Sequence, residues 1–331
     1  MTSKRTVGDT LTKLGSLFNS SLAEKWDNVG VLISPNDSNE QIQTGILLTI
    51  DLTQNVLKEA INKKKNLIIS YHPAIFSSLG TSLTYENPNQ KCILDCIKNG
   101  ITLFSPHTIL DNTLDGMNDT FSESISPPRS LSIPFNKNLD NESEITITFS
   151  NNSNDLLPIN YKFSSSNELM QLILSKIKLE NCYFKSCSQK IYFGSSGPLV
   201  TLFSEPISLN DLISKIKKLC KVNYCQISAK NGPIDGNKLV KSMAICVGKG
   251  FSALKKFSSY QIDVFFTGEI LHHEFLEIDR NENSPIVVSV GHWNSEHFYL
   301  DILRNKLIKD LKLTEDEISV SENDNSPFYT L

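Results

Sequence analysis

Residues 45–73, GILLTIDLTQNVLKEAINKKKNLIISYHP, set the fold class. Residues 45–53 begin with a continuous apolar run, the pattern of a strand covered on both faces. From Asn55 to Lys64 the spacing turns helical, with Val56, Leu57, Ala60 and Ile61 on one side. Leu67–Ser70 supplies a second buried strand. The alternation continues outward. Cys92, Ile93, Cys96 and Ile97 mark a helix ending at Asn99-Gly100, and Ile101–Phe104 forms a third strand. Strand–helix repetition of this kind, closed by right-handed crossovers, predicts a parallel sheet.

The middle of the chain reads differently. Residues 119–154 are rich in Ser, Pro and Asn, and Pro127-Pro128 blocks regular structure. Glu144–Phe149 alternates like a strand with one exposed face, Ser164–Ile177 and Leu209–Leu219 have helical spacing, and Ile191–Phe193 and Leu199–Phe203 are β-prone. The first pattern then returns, with strands at Leu239–Val247, Val264–Phe266 and Ile286–Val290 and helices at Ser252–Phe257 and Glu296–Lys306. The expected fold class is α/β: two β/α lobes flanking an inserted α+β middle section, with a metal site in the cleft between the lobes. Residues 1–130 form the N-terminal lobe in this reading, 131–235 the insertion or elaborated linker, and 236–331 the C-terminal lobe.

Composition removes several function classes. The 331 residues carry 32 basic and 36 acidic side chains, a formal charge of -4 that argues against a broad nucleic-acid-binding surface. The run Lys63–Lys65 reads as solvated lysines at a helix end. No stretch is long and apolar enough for a membrane span. The N-terminus lacks the apolar core of a secretory signal, though its mildly basic, amphipathic character admits a mitochondrial address beside a cytoplasmic or nuclear one. Seven scattered cysteines suit a reducing compartment, with Cys92 and Cys96 read as core thiols.

Four groups of side chains fall just beyond predicted strands, where open α/β sheets bind ligands. After 67–70 come Tyr71, His72 and Pro73, and the proline holds His72 in extended backbone. After 101–104, His107 and Asp111 stand four apart and can face one ion across a single turn. After 286–290, His292 and Glu296 repeat that spacing beside Trp293. The fourth group, Thr267-Gly268-Glu269 with His272 and His273, offers Glu269 and His273 as an i,i+4 pair, with His273 as a ligand or proton carrier. Imidazole nitrogen mixed with carboxylate oxygen suits zinc, manganese, iron or nickel better than calcium. A calcium loop starting at Asp111 fails because Ser122 stands where a bidentate glutamate is required. Trp26 in Trp26-Asp27-Asn28-Val29-Gly30 reads as an anchor of a rigid turn or as a surface for a planar substrate. Lys249, between Gly248 and Gly250, is the basic side chain on offer for a phosphate.

WDNVG at 26–30, SYHP at 70–73, SPHTILD at 105–111, TGEILHHE at 267–274 and GHWNSE at 291–296 together resemble the GTP cyclohydrolase 1 type 2 family, also called the NIF-three-like family, in its eukaryotic branch. The resemblance implies a metal centre of one or two divalent cations with His72, Asp111, His292 and Glu296 as ligands, Glu296 bridging, and His107 beside them. It implies a homo-oligomer, a dimer or a ring such as a hexamer. Two activities follow from it: hydrolysis of a nucleotide or pterin-like substrate, or a non-enzymatic role with regulatory protein partners and a structural metal. Tyr71 stands where the prokaryotic pattern has a histidine, so it is either a substituted ligand or a group behind one.

Overall fold

The computed structural model describes residues 5–77, 79, 82–127, 130–134, 138–150, 156–179, 182–187, 197–228, 234–257, 260–280 and 284–328. The β-prone piece at 191–193 and Pro128 lie outside them. Among the described residues the architecture is mixed α/β with three sheets. The chain divides into two compact units, residues 1–112 with 297–331 and residues 113–296. This division runs elsewhere than the boundaries 130/131 and 235/236 drawn from composition.

The first unit is built on a five-stranded sheet in the order Gly30–Ile33, Thr102–Ser105, Leu67–Ser70, Ile46–Thr49, Ile318–Val320. The last four strands run parallel and only Gly30–Ile33 is antiparallel. The parallel strands at 46–49 and 67–70 are buried at every position, as their unbroken apolar runs require. Helix Gln54–Asn62 lays Val56, Leu57 and Ala60 against Leu47, Ile68 and Leu103, with Ile93 and Cys96 of helix Pro88–Lys98 in the same cluster. Thr53 caps the first of these helices, and Asn87, followed by Pro88, caps the second. The chain end returns to this sheet: Ile318 pairs beside Ile46 and helix Tyr299–Leu311 packs on the same strands. Lys63 and Lys65 are not free surface charges. Lys63 bonds Glu59 at 2.8 Å and Glu322 at 3.0 Å, and Lys65 is buried with its ammonium donating to the Asp316 carbonyl. Returning acidic residues, 200 positions and more away along the chain, turned a solvated run into a structural one.

The second unit holds the other two sheets. Its six-stranded sheet has the order Gln226–Ile227, Ile286–Ser289, Val264–Glu269, Leu239–Lys249, Leu199–Ser208, Leu131–Pro134. The strands at 286–289, 264–269 and 239–249 pair parallel, and the remaining pairings in the sheet are antiparallel. A three-stranded antiparallel sheet joins Leu156–Ser165, Asn138–Ser150 and Tyr183–Cys187, with helix Ser166–Leu179 following. Its core side chains Ile147, Phe149, Phe163 and Met170 belong to the same apolar cluster as Val200, Leu202, Leu254 and Phe265 of the six-stranded layer. Strands 131–134 and 199–208, whose residues the sequence reading assigns to the insertion, complete the sheet that carries 239–249.

Among the described residues no helix is long and apolar enough to cross a membrane. No disulfide joins any of the seven cysteines. Burial pushes the Cys96 and Cys220 thiols up to about 12, which removes nearly all thiolate at neutral pH. Iodoacetamide at pH 8 is therefore expected to spare Cys96 and Cys220 in the native protein and to label both after unfolding. Peptide mass spectrometry reads the result, and native labelling of either would contradict the packing.

Candidate metal-ligand sites

In the first unit, three adjacent parallel strands end side by side and each delivers a polar group. Asp51 follows 46–49, Tyr71 and His72 follow 67–70, and His107 follows 102–105. The ladder continues past the strands: Tyr71 N–H donates to Thr49 O at 2.9 Å, His72 N–H to Ile50 O at 2.9 Å, and His107 N–H to Tyr71 O at 3.2 Å. These side chains are therefore carried on hydrogen-bonded backbone rather than on loose loops. The rings of Tyr71, His72 and His107 lie together, with centroids 4.9 to 5.4 Å apart.

Each imidazole in this group is oriented by a carboxylate. His72 Nδ1 is 2.9 Å from Asp51 Oδ1, and His107 Nδ1 is 2.7 Å from Asp27 Oδ1. Engagement of Nδ1 leaves Nε2 as the atom for a ligand, the usual arrangement of a carboxylate behind a metal-binding histidine. Asp27 also accepts the Thr108 N–H at 3.1 Å, so the residue that aims His107 also caps helix Thr108–Asn112 from outside. Burial acts to raise the Asp27 carboxyl, but hydrogen bonds from His107 and Thr108 outweigh it and hold the group below its ordinary value. His107 has φ +30, uncommon for a residue with a side chain, and the bonds at its backbone N–H and ring hold it there. One turn along the helix, Asp111 Oδ1 accepts the Tyr71 hydroxyl at 2.7 Å.

The second unit repeats the device. Strands 239–249, 264–269 and 286–289 bring Gly248, Glu269 and, just beyond the last, His292 to their C-terminal ends. His292 Nδ1 lies 3.1 Å from Glu269 Oε1, and its Nε2 lies 3.1 Å from Glu296 Oε1. Helix His292–His297 explains the second contact, since residues four apart share a face. Glu296 is 2% exposed, a buried carboxylate facing an imidazole. Two atoms each about 2.1 Å from one cation stand roughly 3.0–3.4 Å apart, so the 3.1 Å spacing fits a shared ion. Gly248 makes room for both donors: a Cβ there would meet Glu296 Oε1 at 2.4 Å and His292 Nε2 at 3.3 Å. The Gly248 N–H donates to Ser295 Oγ at 2.8 Å, and Ser295 in turn bonds the His292 carbonyl at 2.7 Å, which locks the turn to the helix.

Other residues singled out from the sequence are placed as follows. His273 and His272 meet edge to face, with ring centroids 5.3 Å apart, and are exposed on helix His272–Asp279. Lys249 pairs with Glu274 at 3.5 Å. Trp293 is half-buried. Trp26 is 62% exposed, with its ring 5.9 Å from Phe76 and 6.0 Å from His107. Sequence reasoning did not single out Asp27 and Asp51 as partners of histidines. Asp51 carried a signal, an acid just past a buried parallel strand; Asp27 lay inside a quoted motif but is 80 residues from its histidine.

The family model described as Duf34/NIF3 (NGG1p interacting factor 3) matches residues 5–327. The chain is 31% identical over 356 residues to the NIF3-like protein 1 of Dictyostelium discoideum, covering 98% of this chain and 97% of that one. It is 30% identical to the protein NIF3 homolog of Schizosaccharomyces pombe, covering 99% and 100%. The NGG1-interacting factor 3 of Saccharomyces cerevisiae is 27% identical, covering 92% and 89%. Among solved structures, a Staphylococcus aureus hypothetical protein aligns with TM-score 0.71 at 23% identity, covering 99% and 100%, and a Bacillus cereus protein related to NIF3 with 0.72 at 17%, covering both chains in full. At these identities the structural matches speak for the fold alone.

Proposed function

The chain belongs to the Duf34/NIF3 (NGG1p interacting factor 3) family, and from that premise we propose that it is a divalent-metal protein acting as a hydrolase on a planar, nucleotide- or pterin-like substrate. His72, His292 and Glu296 are the proposed ligands of one cation. The observation that carries this is the His292–Glu296 pair, 3.1 Å apart, backed by Glu269 and facing Gly248, where a Cβ would collide with Glu296 Oε1. Two imidazoles and a carboxylate suit zinc, manganese, iron or nickel. A cation so held supplies Lewis acidity and a bound water of lowered pKa.

The chain's own groups have distinct tasks in this reading. Asp51 and Glu269 fix the tautomers of His72 and His292 so that Nε2 faces the ion. Asp111 adds a carboxylate, steadied by the Tyr71 hydroxyl at 2.7 Å. Tyr71 therefore acts behind a ligand rather than as one, which supports a single full site. His107, its Nδ1 held by ionised Asp27, is suited to accept and return a proton at Nε2.

A second reading, an interaction protein whose metal is structural, draws on the same single site and on the name of the budding-yeast relative. The discriminating measurement is metal content of the native protein by mass spectrometry, followed by a hydrolysis screen of nucleotides and pterins. One equivalent is expected, with most of it lost in Glu296→Ala and Asp111→Ala at unchanged circular dichroism. Tyr71→His should raise the content toward two. Full metal retention in both alanine variants would remove the proposed site, and a water-free, substrate-inert metal would favour the structural reading.

A further inference from the structure

The first unit carries a cavity of about 480 Å³ that His72 and Asp51 help to line, a size suited to a small organic ligand. Leu52, Ile75 and Phe76 supply apolar wall, and Asn87, Asn89 and Gln90 supply neutral amide. Among the described residues no lysine or arginine lines it, and the one carboxylate among them is Asp51, already turned to His72 at 2.9 Å. A polyphosphate chain would meet no cation among these residues. A flat, uncharged ring with amide-type edges would find apolar faces and hydrogen-bonding partners together.

A second observation points the same way. Phe76 is 57% exposed and Trp26 62% exposed, with ring centroids 5.9 Å apart. Both approach His107, at 6.3 and 6.0 Å. Two large aromatic faces left in solvent beside an imidazole are costly unless a partner covers them. We propose that this pocket, with its Phe76–Trp26 rim, binds the ring of the substrate, a neutral planar heterocycle, and that it excludes phosphate groups. The inference rests on the proposed metal reading only for which end of the ligand reacts.

Calorimetric titration of the full-length protein with pterin, which is neutral at pH 7, and with inorganic tripolyphosphate tests this. Pterin should bind saturably, about tenfold more weakly in Phe76→Ala and not measurably in Ala74→Trp, which fills the cavity. Tripolyphosphate binding, if any, should be identical in all three proteins. Both positions are partly or well exposed, so the variants should keep the parent's melting temperature. Repeating the pterin titration after chelation separates the two readings. Retained binding with no metal in the parent would sink the metal site and leave the pocket standing. Absent pterin binding, binding equal in all three proteins, or tripolyphosphate weakened by Phe76→Ala would overturn the pocket.

Discussion

Gly248→Ala is expected to weaken divalent-metal binding about a hundredfold, a loss of roughly 2.7 kcal/mol, while the protein stays folded. The new methyl carbon would stand 2.4 Å from Glu296 Oε1 and 3.3 Å from His292 Nε2. The first distance is impossible, so something must move. Either the carboxylate swings away from the imidazole, or the turn slides off Ser295, to which the Gly248 N–H is bonded. The first movement separates the two donor atoms, and the second breaks the bond that ties the turn to the helix carrying them. The left-handed backbone, φ +65, adds about 1–2 kcal/mol of strain for any residue with a Cβ. Gly100→Ala is the control for that strain, since Gly100 has φ +66 and its added carbon meets Asn36 Nδ2 at 3.0 Å and Gln41 Nε2 at 3.7 Å, neither a proposed ligand. Competition titration with a zinc indicator, beside a thermal melt, separates the two effects. Gly100→Ala should lower the melting temperature and leave affinity alone. Parent-like affinity in a folded Gly248→Ala protein would show that the turn does not border the ion.

Much of the scaffold was legible because it is local. The runs at 46–49 and 67–70 are apolar at almost every position, and a strand buried on both faces has no other way to be written. The strand ends gave the candidate histidines for the same reason: a polar residue directly beyond a buried strand has few structural uses. The partners that aim those histidines were hidden by distance, with Asp27 reaching His107 across 80 positions. Strand Ile318–Val320 was illegible too. Three residues flanked by acids carry no periodicity, and only pairing with Ile46–Thr49 makes them a strand. The same long reach explains why the chain end, read as part of the C-terminal lobe, belongs to the first unit. Strand Leu131–Pro134 lies in a Ser- and Pro-rich stretch whose composition reads as loop, and its order comes from Leu199–Ser208.

Glu59→Gln is expected to destabilise the protein by about 3 kcal/mol at pH 7, and the cause lies in that returning chain end. Glu59 sits on helix Gln54–Asn62 with its side chain 4% exposed, and it gathers the tail by accepting from the Ser321 hydroxyl at 2.6 Å and from the backbone N–H groups of Glu322 and Asn323 at 3.1 Å. Lys63 completes the set at 2.8 Å. Burial acts to raise the Glu59 carboxyl, yet these donors overcome it and bring the group from 4.5 down to about 2. A depressed carboxylate stabilises the folded state fully above its unfolded value and loses that contribution as pH falls through the folded one. The window is therefore pH 4.5 to about 2. A glutamine offers an NH2 where one oxygen accepted, leaving buried N–H groups of the tail facing another donor. Urea melts of parent and variant should differ most at pH 7 and converge as pH approaches 2. The damage should also be directional. Asp324 accepts the Ile50 N–H in the same tail, one residue before the Asp51 that aims His72. Proteolysis of the variant should thus begin within 318–328, and its metal affinity should fall together with the tail's protection. A variant as stable as the parent at pH 7, or a difference that grows on acidification, would show that the tail is held by its strand pairing alone and that Glu59 is incidental to it.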